Sequence, residues 1–585
     1  MLSDELRRKK SRCPAVFTIV VIAAVAAGLY FLFAERVPGR VVLEADFEKG
    51  MIEYLPADPY AGLILSDRLL VRDVVETLER ASEDDRVKGL VARMGNARMT
   101  PALVQELRDA VTAFRQAGKP AIAYAESFGE AGPGNLSYYL ASAFDEVYLQ
   151  PSGAVGLTGF ISGRSFFRGT LDKLGIVPRL DGRKEYKSYR YVFTERRYLP
   201  PHKEAVMHVL DIRFGQMTRG IAETRGLSEE EVRALVDNGP FIGQDAVDAK
   251  LVDGLAYRDE VYEKMKVKTE EKAEFMKLAE YRRRSGGPHE KGTTVALIYG
   301  VGGIQRGKSG YNPATGDFVM GSDTITSAFR KAVEDEDVRA ILFRIDSPGG
   351  SVVASDAIWR ETINAKKAGK PVIVSMGSTA ASGGYYVAMA ADKIVAQPGT
   401  ITGSIGVIGG KIVTTGFWNK LGVSWDEVHI GKNADAWTFR KDFTPEQRAR
   451  FGKWLDRIYE DFTAKVGQGR NMPMEEVEKI AKGRIWTGED AKRLGLVDDL
   501  GGFPAALRLA RQAAGIPEDE DVRLKVYPEK KSLLKRLSEL KLVAAEEEAE
   551  NGLVRYLEDL QPLAKAVESL GPSARSDVLR MQEFE

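Results

Sequence analysis

The sequence has few of the residues that form disulfides or bind transition metals. Its 585 residues include a single cysteine, Cys13, and four histidines: His202, His208, His289 and His429. One thiol cannot form a disulfide within the chain, and a structural zinc site needs several Cys or His ligands close together. The sequence therefore excludes a disulfide scaffold and a cysteine-zinc site, and we expect no metal and no cofactor.

A charge excess of either sign is also absent. Lys and Arg number 84, as do Asp and Glu, so the formal net charge is zero at pH 7. A nucleic-acid-binding protein usually has a basic excess, so we expect no nucleic-acid partner. Apolar residues make up 44% of the chain and charged residues 29%, which is ordinary for globular proteins. These proportions exclude a disordered chain and a membrane protein with many spans, while the length allows about three domains.

One long apolar run lies near the N-terminus. Residues 15–34 carry no charge, and about 20 helical residues extend about 30 Å, the thickness of the hydrocarbon core of a bilayer. Basic residues between positions 7 and 12 favour a cytoplasmic N-terminus. We predict a cytoplasmic basic segment at 1–12, a transmembrane signal anchor at 13–35, and the rest of the chain outside the cytoplasm. A cleaved signal peptide is the alternative, but its apolar core is usually only about 7–15 residues long.

Two stretches of the chain match each other in the same order. Ala-Gly-Lys-Pro begins at residues 117 and 368, Tyr-Tyr at 138 and 385, and Leu-Val-Asp at 251 and 496. Ordered matches of this kind are typical of a duplicated domain. We predict a first repeat at 40–265 and a second repeat at 295–530, joined by a charged linker at 266–294 and followed by a helical tail at 531–585.

Each repeat alternates short apolar runs with helical patterns. In the second repeat the predicted strands are 295–299, 340–345, 372–375 and 393–396, and the predicted helices are 323–334, with Ser322 as N-cap, and 354–367. Strand–helix alternation predicts an α/β fold of βαβ units with a largely parallel sheet. Residues 307–321 are predicted to be a long loop, and long loops in compact domains often close over binding sites.

The repeats differ where chemistry is expected. After a strand the second repeat has Asp346-Ser-Pro-Gly-Gly-Ser351, whereas the first has Gly95-Asn-Ala-Arg-Met-Thr100. Paired glycines let the backbone approach a ligand and point N–H groups at an anion. A plain tight turn is the alternative interpretation.

A second difference concerns a serine. The second repeat has Ala380-Ala-Ser-Gly-Gly-Tyr-Tyr386 between a strand and a helix, and Asn135 replaces the serine in the first repeat. Ser382, ringed by Ala and Gly, would be exposed at a sharp turn, as a nucleophile must be, and the N–H of Gly383 would point the same way. A helix cap is the alternative interpretation of Ser382.

A third difference concerns a lysine, which is present in the first repeat and absent from the second. The first repeat has Lys187, and the matching residue of the second repeat is Ala434. A serine nucleophile needs a base, and neither pattern contains a histidine. A lysine can serve when it is neutral, and burial lowers its pKa from about 10.4 by disfavouring the charged form. Lys184, three residues earlier, is the alternative base.

Together these motifs resemble the signal peptide peptidase A family, in its long bacterial form, within the Clp/crotonase superfamily. The resemblance covers roughly residues 40–530 and also rests on the motifs at 186–188, 399–406 and 486–491. It implies two tandem Clp/crotonase-like βαβ domains preceded by one transmembrane helix. It also implies a homotetrameric, membrane-anchored serine endopeptidase with a Ser/Lys dyad. Such an enzyme degrades cleaved signal peptides and similar apolar peptides at the outer face of the bacterial cytoplasmic membrane.

The resemblance also assigns roles to individual residues. It implies that Ser382 is the nucleophile, that Lys187 is the general base, and that the N–H groups of Gly350 and Gly383 form the oxyanion hole. Ser404 would hydrogen-bond the lysine amine and orient it. The first repeat would then supply the base, and the second repeat the nucleophile and the oxyanion hole.

Two other classes of protein are weaker alternatives. A membrane-tethered scaffold built on two inactive repeats is one, but the two losses are complementary, which independent decay would not favour. An enzyme acting on acyl-CoA is the other, since related folds bind thioesters, but a Ser/Lys pair would have no purpose there.

Overall fold

The computed structural model describes residues 36–56, 61, 64–65, 68–270, 272–313, 315–529 and 579–580. The predicted basic segment at 1–12 and the predicted anchor at 13–35 lie outside these residues, as does the predicted tail at 531–585 apart from its strand at 579–580. Among the helices that are described, none combines the length and the apolar character that crossing a bilayer requires.

The first repeat contains eleven strands and ten α-helices within the described residues. The strands are β1 Val41–Asp46, β2 Met51–Ile52, β3 Leu69–Leu70, β4 Val87–Met94, β5 Ala121–Ala125, β6 Glu146–Leu149, β7 Ala154–Val155, β8 Val177–Arg183, β9 Phe241–Ile242, β10 Gly254–Leu255 and β11 Glu274–Lys277. The helices are α1 Val71–Glu83, α2 Pro101–Gln116, α3 Asn135–Ala141, α4 Arg168–Leu174, α5 Tyr191–Thr194, α6 Pro200–Arg225, α7 Glu229–Asn238, α8 Gln244–Asp248, α9 Arg258–Lys268 and α10 Leu278–Ser285.

The second repeat follows directly, and its core strands alternate with helices as those of the first repeat do. Its strands, with a last one from the C-terminal segment, are β12 Thr293–Val301, β13 Gly303–Gln305, β14 Gly310–Asn312, β15 Asp317–Gly321, β16 Val338–Ser347, β17 Gly349–Gly350, β18 Val372–Ala381, β19 Lys393–Ala396, β20 Ile401–Gly403, β21 Val407–Val413, β22 Ile485–Thr487, β23 Asp499–Leu500, β24 Val522–Tyr527 and β25 Leu579–Arg580. Its helices are α11 Ser322–Glu334, α12 Val352–Lys367, α13 Gly383–Ala388, α14 Thr415–Lys420, α15 Pro445–Arg470, α16 Met474–Ile480, α17 Gly488–Arg493 and α18 Phe503–Ala513.

Each repeat is built on a parallel sheet with the same strand order. In the first repeat the order is β10-β6-β5-β4-β1-β11, and in the second the corresponding order is β23-β19-β18-β16-β12-β24. Apolar side chains are buried on both faces of each sheet, as helix crossovers between parallel strands require. The predicted α/β class and the predicted tandem repeats are therefore confirmed.

Matching side chains make matching contacts in the two repeats. The hydroxyl of Tyr138 donates to the carbonyl oxygen of Leu251, and that of Tyr385 donates to Leu496. The lysines of the two Ala-Gly-Lys-Pro motifs each donate to two backbone carbonyls at the end of the first long helix of their repeat. The sequence matches thus mark the contacts that hold each sheet to its helices.

The segment 266–294 was predicted to be a linker, but residues 266–285 belong to the first repeat and residues 293–294 begin β12 of the second. Strand β11 lies parallel to β1 at the edge of the sheet, and α10 packs against α1 through an ion pair of Arg282 with the buried Glu76 at 2.8 Å. Some of its charged residues, such as Lys268 and Arg282, pair with carboxylates of the first repeat, so a composition rich in Lys and Glu misled the prediction.

Two smaller predictions were also wrong. The segment 307–321 is not a plain loop, because β14 and β15 form an antiparallel hairpin there and β15 continues the small sheet that contains β17. Helix α11 begins at Ser322 itself, and its N-cap residue is Gly321, without a side-chain cap. A role of the hairpin in closing over a binding site stays a prediction.

The two repeats are joined by a buried network of charges. Arg344 on β16 is 2% exposed and forms ion pairs with Glu53 at 2.8 Å and with Glu106 on α2 at 2.7 Å. Glu106 also accepts a hydrogen bond from the backbone N–H of Phe503 at 2.6 Å. Breaking a buried ion pair by removing one partner typically costs about 3–5 kcal/mol, because the other charge stays buried.

A second connection is a pair of strands. β8 of the first repeat and β21 of the second form a two-stranded antiparallel sheet with seven residue pairs, from Val407 opposite Arg183 to Val413 opposite Val177. Because of this pairing, β8 of the first repeat lies against the second repeat, and the position of the residues that follow β8 is fixed there.

We predict that Arg344→Met destabilises the protein by about 3–5 kcal/mol, because Glu53 and Glu106 lose their buried counter-charge. Arg339→Met is the matched control, since Arg339 is exposed on the same strand and should change stability by less than about 0.5 kcal/mol. Denaturant unfolding monitored by circular dichroism measures both, and equal midpoints for the two variants would contradict the role of the network.

Candidate active site

Lys187 of the first repeat and Ser382 of the second are in direct contact. Lys187 follows β8, so the pairing of β8 with β21 carries it into the second repeat. Its Nζ lies 2.7 Å from Oγ of Ser382, although the two residues are 195 positions apart in the sequence. Neither repeat contains both groups, so the pair exists only where the two repeats meet.

Ser382 occupies a strained turn between β18 and α13. Its backbone has φ 55° and ψ −116°, a conformation that residues with a side chain adopt at a cost of order 1–3 kcal/mol. Its N–H donates to the carbonyl oxygen of Gly403 at 2.8 Å, and its carbonyl accepts from the N–H of Tyr386 at 2.9 Å. Ser382 occupies the N-cap position of helix α13, but its side chain makes no capping hydrogen bond. This strand–turn–helix geometry is the one that presents nucleophiles in many hydrolases.

The amine of Lys187 is buried and lies within hydrogen-bond distance of three oxygens. The side chain is 2% exposed, and Nζ lies 2.8 Å from the carbonyl oxygen of Ser404 and 3.1 Å from its Oγ. Burial lowers the pKa of Lys187 to about 7. A neutral amine has two hydrogens and one lone pair, so donation to both oxygens of Ser404 leaves the lone pair facing Oγ of Ser382.

Lys184, the alternative base, lies elsewhere. Its side chain is 48% exposed, with Nζ 3.8 Å from a carboxylate oxygen of Glu478 and over the ring of Tyr459. The structure therefore brings Lys187, and not Lys184, to Ser382.

Gly350 and Gly383 lie side by side next to the serine. A Cβ at Gly383 would come within 3.0 Å of the amide nitrogen of Gly350, and one at Gly350 would come within 2.2 Å of the carbonyl oxygen of Ile304. Neither position can hold a side chain without displacing the backbone. The structure brings together both predicted oxyanion-hole residues, and Ser404 with them.

Gly483 also lies in the site, and it was not predicted from the sequence. A Cβ at Gly483 would come within 2.6 Å of the backbone nitrogen and Cβ of Lys187. The neighbouring Arg484 accepts a hydrogen bond from the N–H of Ser404 at 2.7 Å through its carbonyl oxygen. Gly483 thus leaves room for the lysine segment, and nothing in the surrounding Lys-Gly-Arg sequence marks it as part of the site.

The matching site of the first repeat is a cavity without a dyad. The side-chain oxygen of Asn135 accepts from the N–H groups of Thr158 and Gly159 at 2.9 and 3.0 Å, and its amide nitrogen donates to the carbonyl oxygen of Gly159 at 2.8 Å. Asn135 therefore holds a loop in place. A cavity of about 690 Å³ lies beside it, lined by residues that include Leu136, Phe160 and Ile161.

The edge of β17 accepts an additional strand. β25, Leu579–Arg580, lies antiparallel to β17, with Gly349 opposite Arg580 and Gly350 opposite Leu579. Since Gly350 adjoins Gly383, this strand runs beside the nucleophile turn. Within the described part of the chain, no group of three or more His, Cys, Asp or Glu side chains is placed to hold a metal ion.

Comparison with known proteins gives consistent similarities. The sequence profile described as Peptidase family S49 matches residues 113–272 and 364–517. Protease 4 of Salmonella typhi is 33% identical over 472 residues, which cover 77% of this chain and 74% of that protein. Protease 4 of Haemophilus influenzae is 32% identical over 471 residues, with the same two shares. Serine protease SPPA, chloroplastic, of Arabidopsis thaliana is 31% identical over 457 residues, which cover 77% of this chain and 66% of that protein.

Similarity to solved structures is weaker. The structure of a ClpP1 mutant from Listeria monocytogenes aligns with 37% of this chain and 95% of its own, at 16% identity and a TM-score of 0.23. A TM-score this low supports no conclusion about the fold, which is described by the strand order and connections given above. The two segments that match the family profile fall one in each repeat.

We predict that activity depends on a group with a pKa near 7 that must lose its proton. Because the pKa of Lys187 is about 7, kcat/KM for an ester or peptide substrate should rise about tenfold per pH unit below pH 7 and level off above it. Lys187→Met should lower the rate by roughly 10³-fold or more, whereas Lys184→Met, the matched control, should keep it. A rate that falls as pH rises through 7, or a loss confined to the Lys184 variant, would contradict this assignment.

Proposed function

This chain belongs to peptidase family S49 and is a serine protease, and on that premise we propose that Ser382 is its nucleophile and Lys187 its general base. The observation that carries the proposal is the 2.7 Å contact between Oγ of Ser382 and the buried Nζ of Lys187. A serine hydroxyl is a weak nucleophile until an adjacent base takes its proton, and this amine is the group placed to take it.

The first step is proton transfer coupled to attack. The neutral amine of Lys187 takes the proton of Ser382, and Oγ forms a bond to the carbonyl carbon of the scissile peptide. Ser404 contributes by fixing the two amine hydrogens, so that the lone pair keeps its direction. Ser404 is therefore a positioning residue.

The second step is stabilisation of the oxyanion and release of the amine. The adjacent N–H groups of Gly350 and Gly383 would donate to the developing oxyanion, and one such donor is typically worth about 2.7–4 kcal/mol. The ammonium of Lys187 then gives its proton to the leaving amine. Water, activated by the same lysine, hydrolyses the acyl-serine and restores both groups.

Substrates would bind as an extended strand along β17. The strand β25 supports this proposal, because it already lies antiparallel to Gly349–Gly350. Strand addition uses backbone hydrogen bonds for affinity and leaves side-chain pockets to determine specificity. A peptide chain laid on this edge passes the turn that carries Ser382.

The substrates we propose are cleaved signal peptides and similar apolar peptides. Supporting this proposal are the apolar run at 15–34 with basic residues before it, and a relative named Putative signal peptide peptidase SppA from Enterococcus faecium. That relative is 36% identical over 172 residues, which cover 29% of this chain and 50% of that protein. The proposed location is the bacterial cytoplasmic membrane, with residues 13–35 as the anchor and both repeats on the outer side, and the proposed assembly is a homotetramer.

We predict that a fluorophosphonate probe labels Ser382 and no other serine. Ser382→Ala should lose both the label and peptide cleavage while staying folded. Asn135→Ala changes the matching position of the first repeat. This variant should keep both the label and peptide cleavage, since the side chain of Asn135 hydrogen-bonds a loop of its own repeat. Mass spectrometry locates the adduct, and an adduct elsewhere or cleavage by Ser382→Ala would refute the proposed nucleophile.

We predict that a synthetic signal peptide is cleaved at least about tenfold faster, in kcat/KM, than a peptide of equal length whose apolar core is replaced by Ser and Asn. The free energy gained by burying only a few apolar side chains exceeds the ~1.4 kcal/mol that a tenfold preference requires. Ser382→Ala measures the background with both peptides. Equal rates for the two peptides would remove signal peptides as the preferred substrates and leave the serine protease assignment in place.

A further inference from the structure

Residues 482–484, the bridge segment, lie directly against the lysine of the proposed dyad. The carbonyl oxygen of Lys482 accepts a hydrogen bond from the N–H of Tyr186 at 3.1 Å. A Cβ on Gly483 would come within 2.6 Å of the backbone nitrogen and Cβ of Lys187. One side of the bridge segment therefore packs on the backbone that carries the amine.

The other side of the bridge segment holds the residue that fixes the amine hydrogens. The N–H of Ser404 donates to the carbonyl oxygen of Arg484 at 2.7 Å, and the N–H of Gly483 donates to the carbonyl oxygen of Ile405 at 2.7 Å. The two oxygens of Ser404 lie 2.8 and 3.1 Å from Nζ of Lys187. The bridge segment therefore links the backbone of the lysine to the serine that its amine contacts.

The backbone conformation of the bridge segment has to be held by other groups. Lys482 has φ 57° and Gly483 has φ 79°, so two successive residues lie in the left-handed region, which residues with a side chain seldom adopt. Such conformations persist only where the surrounding structure determines them. The N–H of Lys482 donates to the hydroxyl of Tyr459 at 3.2 Å, and the side chain of Arg484 supplies a second attachment.

Arg484 attaches the bridge segment to the first repeat. Its guanidinium donates two hydrogen bonds of 2.6 Å to the two carboxylate oxygens of Glu204 on α6. The guanidinium also lies over two aromatic rings, 4.8 Å from the centre of Tyr186 and 4.5 Å from that of Trp486. The side chain is 14% exposed, and an arginine that is both stacked and bidentate is held in one orientation.

Neither member of this ion pair has a charged counterpart in the other repeat. Helices α6 and α15 begin 245 residues apart, and the Gly-x-Asp-Ala motifs at α8 and α17 have the same offset. At that offset Gly239 matches Arg484, and Ala449 matches Glu204. The ion pair, like the proposed dyad, therefore takes one member from each repeat.

We propose that Arg484 and Glu204 are positioning residues that hold the bridge segment and, through it, the amine of Lys187. Arg484 acts through the backbone of the bridge segment, and Glu204 acts by holding Arg484. This inference rests on the proposed function, and it adds to that function the two residues that keep the base in place.

Charges beside Lys187 are directed to partners other than its amine. The pairs are Arg183 with Asp456 at 2.5 Å, Lys184 with Glu478 at 3.8 Å, and Glu185 with Lys482 at 3.7 Å. Burial is the cause that lowers the pKa of Lys187 to about 7. If the bridge segment moves, water reaches the amine, and the pKa of Lys187 rises toward its ordinary value.

The test compares Arg484→Met and Glu204→Met with Arg219→Met as the matched control. Arg219 on α6 pairs with Glu489 of the second repeat at 3.5 Å, so the control also removes an ion pair between α6 and the second repeat. With an ester substrate, kcat of the first two variants should fall by about 10²-fold, as for a base misplaced by about 1 Å, while KM stays nearly unchanged. Arg219→Met should keep both constants.

The pH dependence shows whether the loss acts through the lysine. In Arg484→Met and Glu204→Met the inflection of kcat/KM should move upward from about pH 7 by about one unit or more, with activity recovering at high pH. Arg484→Lys keeps the charge without the bidentate contact and should lie between these variants and the wild type. A change that only lowers the folded fraction would not move the inflection.

Glu204→Met decides the outcome if Arg484→Met does not fold, because the side chain of Glu204 is 49% exposed on a helix. A wild-type inflection in Glu204→Met would overturn the positioning role. Lys187→Met separates this failure from failure of the proposed function. If Lys187→Met is inactive, only the positioning role is wrong, whereas an active Lys187→Met would refute the proposed base itself.

Discussion

The contact between the amine of Lys187 and the hydroxyl of Ser382 is the constraint on which the rest of the structure depends. It joins two repeats, so it exists only if they keep a fixed position relative to each other. The strand pair β8–β21 connects the two repeats and leads the chain toward Ser382. The buried ion pairs of Arg344 with Glu53 and Glu106 are a second connection between the repeats. A site at a junction requires a rigid junction, and both attachments serve that need.

Duplication explains how the site is divided. The contacts that hold each sheet together are kept in both repeats, as those of Tyr138 and Tyr385 show. The proposed catalytic groups occur in one repeat each, with Asn135 at the position of the serine and Ala434 at the position of the lysine. Asn135 hydrogen-bonds Thr158 and Gly159 through both its oxygen and its nitrogen, so the side chain at this position holds a loop of the first repeat in place.

Much of this was predictable from the sequence, and the failures have physical reasons. Ordered motif matches predict the repeats, and the contrast between them points to Ser382 and Lys187. Strand β11 was missed because Glu-Phe-Met-Lys at a sheet edge has no apolar run to mark it. Gly483 was missed because its role, leaving room for Lys187, exists only once two distant segments meet. Sequence patterns report burial within one element, and they carry little information about contacts between repeats.

The choice of a buried lysine has a consequence for stability. A pKa lowered from 10.5 to about 7 corresponds to about 5 kcal/mol at about 1.36 kcal/mol per unit. The folded chain binds fewer protons than the unfolded chain between these two values, so this cost is full below pH 7 and disappears as the pH rises toward 10.5. At neutral pH the contacts between the repeats must offset it. The strand pair β8–β21 and the ion pairs of Arg344 with Glu53 and Glu106 are two sets of such contacts.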